Sequence, residues 1–309
     1  MLALSACAPE SEDRPSLACD VSLIVLGVAQ DGGKPQIGHA EDPAWKEPTL
    51  RRLATSLALV DRRGETKRWL FEATPDIREQ LFRLDELAVM RTSAALPFDG
   101  VFTTHAHIGH YAGLMFFGHE SAGAAHLSVY VMPRMAGFLE SNGPWSQLIK
   151  YENIILAIMV EGEPEKIADG MAVTPFAVPH RQEFSEVVGY RIDGPSASAI
   201  FIPDIDRWEA WDEMGVRIED EIAKVDFAFL DATFYSGDEL PGRDMSKIPH
   251  PLVSNSLERF ATLPAAERAK VRFIHMNHTN PLNDPASDER AVVRIAGFGV
   301  AGEGEEFCL

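Results

Sequence analysis

The stretch TTHAHIGHYAGL at residues 103–114 places three histidines within six positions. It follows the apolar run FDGVF at residues 98–102, which the sequence predicts as a buried strand. His105 and His107 are therefore expected at a strand end, two residues apart and on one side. Neutral imidazole is a common nitrogen ligand of zinc, so two converging rings predict a metal site. His110 falls where the chain turns into a predicted helix, so its ring is expected to approach from another direction.

Four later segments each place a ligand-type side chain at or just after the end of a predicted strand. They are VTPFAVPH ending at His180, AIFIPD ending at Asp204, VDFAFLD ending at Asp231, and FIHMNH ending at His278. In this order, and with the histidine motif before them, they resemble the metallo-β-lactamase superfamily from residue 21 to about residue 300. Strands alternate with helices along the chain, which predicts an α/β layered domain. The resemblance implies a four-layer αββα sandwich formed by residues 21–309.

Other segments resemble a narrower family, the pyrroloquinoline quinone biosynthesis protein B family. They are LGVAQDGGKPQ at residues 26–36, FLESNGPW at residues 138–145, GRDM at residues 242–245 and HTNP at residues 278–281. That family generally lacks the histidine-rich motif in the form seen here. The chain therefore resembles it in its scaffold while carrying a more hydrolase-like set of ligands.

The superfamily resemblance implies a site for two metal ions. The expected ligands are His105, His107 and His180 for the first metal, His110 and His278 for the second, and Asp204 as a bridge between both. One or two zinc ions are expected, with iron or manganese as alternatives. Taken alone, Asp204 is also compatible with a turn residue after Pro203. His275 is expected to point to the opposite face of its strand from His278 and to be structural.

Gly109 departs from the superfamily pattern, which has Asp immediately before the third histidine. Without that carboxylate the second metal position is expected to be weaker. Asp31 lies in the loop QDGG after the first predicted strand, and the glycines there let the backbone approach a crowded site closely. Asp31 is therefore a candidate replacement ligand with a catalytic role. The alternative is a tight turn in which Asp31 only caps backbone N–H groups.

His250 and Asp231 are candidates for supporting roles. His250 lies between two prolines, at a position where some phosphodiesterase-like relatives carry a histidine near the leaving group. It is a candidate general acid, because histidine holds or releases a proton near neutral pH; the alternative is an exposed loop histidine. Asp231 is expected to accept a hydrogen bond from a ligand histidine.

Composition limits the classes of function and partner. The chain has 309 residues, of which 46% are hydrophobic, and this is enough to bury a large core. Its formal charge is −19, with 28 basic and 47 acidic residues, which disfavours a nuclease acting on long nucleic acid. The acid excess fits an ordinary solvated surface, and it also suits a small neutral or cationic substrate. The region from about 119 to 170 is rich in Gly, Pro and Ser and is predicted to be an insertion over the site.

The N-terminus suggests export. The tetrapeptide LSAC, ending at Cys7, resembles a bacterial lipobox, and a polar linker follows it. Only six residues precede Cys7, so either most of a signal is missing or the match is due to chance. Residues 1–20 are accordingly predicted to be the remnant of an export signal with a lipoprotein linker. Lipidated Cys7 would then attach a periplasmic protein to the membrane; without it the protein is expected to be cytoplasmic. Cys19 and Cys308 pair in an exported protein, or are two unrelated thiols.

Three functions are compatible with these observations. The first is a hydrolase that uses metal-bound hydroxide to cleave a small ester, lactone, amide or phosphodiester. The second is an iron-dependent oxidative enzyme resembling the pyrroloquinoline quinone biosynthesis B family. The third is a non-catalytic metal-binding protein. The histidine-rich motif favours the hydrolase; the sequence predicts neither its substrate nor the oligomeric state.

Overall fold

The computed structural model of the chain describes residues 19–88, 96, 98–240, 242–245 and 248–309. Within these residues, strands form two mixed sheets of seven strands each. Across the first sheet the strands are β14 (Glu306–Cys308), β1 (Val21–Gly27), β2 (Ser56–Asp61), β3 (Lys67–Phe71), β4 (Gly100–Phe102), β5 (Leu127–Val131) and β6 (Ile154–Ile158). Across the second they are β13 (Gly299–Val300), β12 (Val271–Ile274), β11 (Phe227–Asp231), β10 (Ser198–Ile202), β9 (Val188–Asp193), β8 (Met171–Ala177) and β7 (Glu165–Ala168).

Helices cover the outer faces of both sheets. They are α1 (Ile77–Leu87), α2 (Ile108–Tyr111), α3 (Pro133–Ser141), α4 (Trp145–Lys150), α5 (Trp208–Glu213), α6 (Ile218–Ala223), α7 (Val253–Phe260), α8 (Ala265–Arg268) and α9 (Asp288–Ile295). Short 3-10 turns occur at Pro43–Trp45, Pro48–Leu50, Ala112–Phe117 and Pro281–Asn283. Buried residues of α1, α3 and α4 pack against the first sheet. Those of α5, α6, α7 and α9 belong to the core of the second sheet.

Side-chain alternation along the strands builds the layers. In β1, Leu23 and Val25 belong to the core shared with the second sheet, whereas Ile24 and Leu26 belong to the core beneath the helices. Across the sheet interface the ring of Phe71 lies 5.7 Å from that of Tyr190. Both faces of the first sheet are therefore buried, which confirms the predicted four-layer αββα sandwich of the α/β class.

Strand direction brings the functional segments together. In the first sheet β1, β3 and β4 run the same way, because two antiparallel steps separate β1 from β3 and β4 is parallel to β3. In the second sheet β8, β10, β11 and β12 share one direction for the same reason. Their carboxyl ends meet at one edge of the sandwich, where His105 Nε2 lies 3.4 Å from Asp204 Oδ2. A site at this edge draws on both sheets.

The segment from about 119 to 170 is not an insertion over the site, as its composition had indicated. It contains β5, α3, α4, β6 and β7, so it extends the first sheet and begins the second. Its Gly and Pro residues lie largely in the connections between these short elements. The prediction failed because frequent turn residues mark short connections within a fold as well as insertions.

The ends of the described chain are tied together. Cys19 and Cys308 form a disulfide, with their Cα atoms 5.3 Å apart, and it links the start of β1 to β14. This is the pairing predicted for an exported protein. Cys7 and the proposed lipoprotein linker lie largely outside the described residues, so lipid attachment stays a prediction. Among the residues that the structure describes, no helix has the length and apolar character needed to cross a membrane.

Candidate metal centre

Four side chains form a first ligand set at the sandwich edge. His105, His107, His180 and Asp204 present one ligand atom each, and these atoms all lie within 4.8 Å of one another. Asp204 Oδ2 is 3.2 Å from His180 Nε2, 3.4 Å from His105 Nε2 and 3.9 Å from His107 Nδ1. Three imidazoles and one carboxylate are ligands that zinc accepts. The structure thus brings together all the residues predicted for the first metal, with the predicted bridge.

A second ligand set lies beside the first and consists of Asp31, His110 and His275. His110 Nε2 is 3.4 Å from Asp31 Oδ1 and 3.6 Å from Asp204 Oδ2. The same oxygen of Asp204 therefore faces both sets, as a bridging carboxylate would. The ring of His275 lies 5.2 Å from that of His110.

His278 is not in either set, which corrects the sequence-based ligand assignment. Its ring lies 4.1 Å from the ring of His39, on the wall of the neighbouring cleft. His275 takes the expected place because it lies just beyond β12 with φ of +67°, so strand alternation does not set its direction. Residue patterns seldom signal a left-handed backbone conformation of this kind, so the sequence did not reveal that His275 faces the site.

Gly109 and Asp31 compete for the same space. A Cβ atom on Gly109 would lie 2.3 Å from Asp31 Oδ1 and 2.5 Å from Asp31 Cα, closer than atoms approach without a shift. Asp31 thus fills the space that a side chain at position 109 would need. Its own φ of +35° is an uncommon conformation of the kind found at functional sites. This geometry favours the replacement-ligand interpretation of Asp31 over a simple turn cap.

The donor atoms of both sets fit metal ions. His105 Nε2, His110 Nε2, His275 Nε2, Asp31 Oδ1 and Asp204 Oδ1 are buried with no hydrogen-bond partner. Buried polar atoms are almost always paired, because an unpaired one costs free energy. Here several unpaired lone pairs converge, and divalent cations would satisfy them together.

His250 and Asp231 form a third cluster with Asp204. His250 Nδ1 lies 2.9 Å from Asp231 Oδ2 and 3.3 Å from Asp204 Oδ1. His250 is buried, so it is not the exposed loop histidine of the alternative interpretation. Asp231 also accepts hydrogen bonds from the backbone N–H of Ile205 and from Thr233. The sequence predicts that Asp231 accepts a hydrogen bond from a ligand histidine; the histidine in direct contact with it is His250, which belongs to neither of the two ligand sets above.

Comparisons with known proteins identify the family. The model of the β-lactamase superfamily domain matches residues 67–276, more than half of the chain. The chain belongs to the β-lactamase superfamily. This confirms the resemblance carried by the histidine motif and by the later strand ends.

Individual relatives are similar over nearly the whole chain. Coenzyme PQQ synthesis protein B of Xanthomonas campestris is 27% identical, over 93% of this chain and 99% of the relative. The crystal structure of Zn²⁺-bound PqqB from Methylobacterium extorquens has a TM-score of 0.76 at 23% identity, covering 93% of this chain and all of that one. A diphosphatase from the PhnP family has a TM-score of 0.64 at 23% identity, with 94% and 98% covered. The structural similarities show the fold that this chain shares with other superfamily members.

Two threonines fix the ring orientation of His105 and His275, one candidate ligand from each set. The hydroxyl of Thr104 donates to Glu72 Oε1 at 2.5 Å and lies 2.9 Å from His105 Nδ1. Because that hydroxyl gives its single hydrogen to the carboxylate, it accepts from the ring N–H, which leaves the lone pair of Nε2 facing the site. Thr233 repeats the arrangement between Asp231 at 2.7 Å and His275 Nδ1 at 3.0 Å.

Glu72 is a residue of the centre that the sequence analysis missed. It is fully buried, has φ of +77°, and contacts both Thr104 and His110, whose Nδ1 lies 3.3 Å from Glu72 Oε1. One carboxylate thus orients a ligand of each set. Its position directly after the buried strand β3 was the available signal, the same one that pointed to Asp204 and Asp231.

Carboxylates outside the two sets orient the remaining imidazoles. Asp206 Oδ1 lies 2.9 Å from His180 Nδ1, and Glu183 Oε2 lies 3.1 Å from His107 Nε2. His180 is therefore left with Nε2 and His107 with Nδ1 as ligand atoms. The ligand atom thus differs between these two imidazoles because their carboxylate partners contact opposite ring nitrogens.

The electrostatics of the metal-free centre favour protons on some imidazoles and not on others. Burial opposes charging of His180, but hydrogen bonds to Asp204 and Asp206 outweigh it and raise its pKa to about 9. Burial likewise opposes charging of His110, but the nearby carboxylates of Glu72 and Asp31 outweigh it and hold the pKa of His110 well above its ordinary value. Burial lowers the pKa of both His105 and His275. Without a bound metal, each ligand set therefore contains a protonated imidazole: His180 in the first set and His110 in the second.

His275 and His278 are expected to differ in their contribution to metal binding. After loading with zinc, His275→Ala should lose one of roughly two zinc ions per chain, because it removes a ligand. His278→Ala, the matched control, should retain both ions. Elemental analysis of the dialysed proteins measures the difference, and loss of metal from His278→Ala alone would restore the sequence-based assignment.

Exchanging the residues at positions 31 and 109 tests the replacement-ligand assignment. Asp31→Gly should weaken binding of the second metal by at least about a hundredfold, since it deletes a ligand. Adding Gly109→Asp should restore binding only in part: glycine at position 31 removes the side-chain contacts and tolerates the left-handed backbone, but its Cα atom stays 2.5 Å from the new Cβ, so the loop must shift. Competition with a chelator measures both affinities. Equal metal affinity in wild type and Asp31→Gly would contradict the assignment.

Metal binding should release protons near neutral pH. At pH 7.5, below the pKa of His180, that ring is charged, and zinc requires its neutral form. We expect about one to two protons released per chain, with affinity rising as pH approaches about 9. Calorimetry in buffers of different ionisation enthalpy counts the protons, and Asp206→Asn should reduce the number. A heat of binding independent of the buffer would refute this account.

Proposed function

We propose that this protein is a dinuclear zinc hydrolase that cleaves an ester, lactone, amide or phosphodiester bond in a small molecule. The observation that carries the proposal is the shared carboxylate: Asp204 Oδ2 lies 3.2 Å from His180 in the first ligand set and 3.6 Å from His110 in the second. Two-metal sites of this kind serve hydrolysis of phosphate and acyl compounds. The similarity to a PqqB structure solved with zinc supports the choice of metal.

The chain would hold the first cation with His105, His107 and His180 and the second with Asp31, His110 and His275, and the buried, unpaired donor atoms in both sets support this assignment. Bound there, divalent cations supply Lewis acidity and activate water. The protein contributes a buried, preorganised set of donors whose orientation is fixed by Thr104, Thr233 and the surrounding carboxylates. Preorganisation of this kind lowers the cost of reorganising polar groups during reaction.

His250 is proposed as the general acid. Its Nδ1 holds a proton against Asp231 Oδ2 at 2.9 Å, and the residue lines the cleft that opens beside Asp31. Burial opposes charging, but Asp231 and Asp204 outweigh it and raise the pKa of His250. A charged imidazole can pass the proton on Nε2 to the oxygen of a leaving group.

A second candidate function is an iron-dependent oxidation. The second ligand set taken alone, Asp31 with His110 and His275, is the two-histidine, one-carboxylate set typical of non-haem iron oxygenases. The 27% identity to coenzyme PQQ synthesis protein B over most of the chain favours the same candidate. It differs from the hydrolase in needing one iron ion and no contribution from His107.

Elemental analysis and hydrolase assays of one protein preparation separate the two. For the hydrolase we expect about two zinc ions per chain and turnover of nitrophenyl esters or phosphodiesters. His107→Ala should lose one zinc and its activity. His250→Gln should keep its metal and lose about a hundredfold in kcat on alkyl esters, whose leaving group needs a proton, but little on nitrophenyl esters.

About one iron ion per chain, retained by His107→Ala, would overturn the hydrolase proposal in favour of the oxidative one. Zinc-loaded protein without turnover of any ester, lactone or phosphodiester would also contradict it. In that case a non-catalytic metal-binding protein becomes the better interpretation.

A further inference from the structure

An open cleft of about 690 Å³ adjoins the metal centre. Asp31 and His250 both line it. Asp31 lies 3.4 Å from the ligand His110, and His250 lies 3.3 Å from the bridging Asp204. A molecule bound in the cleft therefore extends directly from the place where the reaction is proposed to occur.

The cleft wall carries two guanidinium groups, those of Arg181 and Arg243. Arg181 is exposed, and within the part of the chain that the structure describes its one carboxylate partner is Glu183, at 3.6 Å. Arg243 has no ion-pair partner among the described residues, and its side chain faces solvent. Guanidinium is the side-chain group best suited to grip carboxylate or phosphate oxygens.

Among the described residues, the two acidic side chains of the lining form no ion pair with these arginines. Glu239 accepts hydrogen bonds from the backbone N–H of Ser236 and the hydroxyl of Thr279, and burial raises its pKa. Asp31 is directed at His110. Glu239 and Asp31, the two carboxylates among the described lining residues, thus each have a partner other than the arginines.

Two imidazoles, His39 and His278, stand together on the same cleft wall with ring centres 4.1 Å apart. The backbone carbonyl of His278 accepts a hydrogen bond from Lys34 Nζ at 3.0 Å, which fixes this part of the wall. The rings add N–H donors to the charged donors of the arginines. The wall therefore offers several donors to one ligand.

The two arginines of this cleft wall contrast with the overall charge of −19. On an acidic surface a general repulsion of anions must be overcome locally, and clefts concentrate the field of the charges that line them.

We propose that the cleft binds an anionic arm, carboxylate or phosphate, of the substrate whose scissile bond lies at the metal centre. Arg243, His39 and His278 determine this specificity. The inference rests on the proposed hydrolase function, which it deepens by naming the class of substrate.

Kinetics with matched substrates test the proposal. We would compare nitrophenyl acetate with the mono-nitrophenyl ester of glutarate, which has the same leaving group and adds a carboxylate arm. The glutarate ester should show a kcat/KM at least about tenfold above that of the acetate. Arg243→Gln should raise KM for the glutarate ester about tenfold with kcat unchanged, and leave the acetate unaffected. Arg294→Gln, on the outer helix α9, is the matched control.

Binding measurements keep the proposal testable if the hydrolase function itself is wrong. Calorimetry of glutarate and of inorganic phosphate with metal-free and zinc-loaded protein needs no turnover. Arg243→Gln and His39→Gln should each weaken binding about tenfold relative to Arg294→Gln, and the better-bound anion identifies the arm. The proposal is overturned if neither anion binds, or if both variants bind as tightly as the control.

Discussion

A single buried carboxylate, Asp204, holds the two halves of the site together. It stands after β10 in the second sheet, yet its oxygen lies within 4 Å of imidazoles that follow β4 in the first. Burying a carboxylate costs several kcal/mol unless opposite charge surrounds it. Protonated imidazoles provide that charge in the absence of metal, and cations provide it when bound. The pairing of the two sheets and the chemistry of the site therefore depend on the same group.

The ligands themselves are held by a scaffold of hydrogen bonds. The loop at residues 180–187 connects β8 to β9 in the second sheet and contacts the elements of the first, where the carboxylate of Glu186 accepts from the backbone N–H of Arg134 at the start of α3. Ser185 in the same loop accepts from the backbone N–H of Ala106, between two ligands. A residue displaced in this loop would move imidazoles on both sheets at once.

Much of the fold and half of the site follow from local pattern. Alternating apolar residues predict the strands, and a ligand-type side chain after each strand predicts His105, His180 and Asp204. The remainder depends on conformation and distance. The left-handed backbone of His275 reverses the direction that strand alternation predicts. Gly215, with φ of +85°, lies in the break between α5 and α6 and separates the two helices.

Other parts of the site became visible only through contacts between distant segments. Glu72 lies 38 residues before His110 (110 − 72). The sequence does not indicate which acidic residue at a strand end will contact which imidazole in the folded protein. Asp31 likewise takes the space beside Gly109 only in the folded chain. The two residues become adjacent when the segment after β1 packs against α2.

Because Asp31 is distant in sequence from His110, the second ligand set can form only at a later stage of folding. Where the third histidine has its acid beside it in sequence, both donors arise in one local segment. Here the second set joins residues separated by 79 positions (110 − 31) and by 165 (275 − 110). Closing such long loops is slow and entropically costly. A nascent or partly unfolded chain therefore has no complete second pocket to trap a cation prematurely, and acquires one only when the segments that follow β1, β4 and β12 are in place.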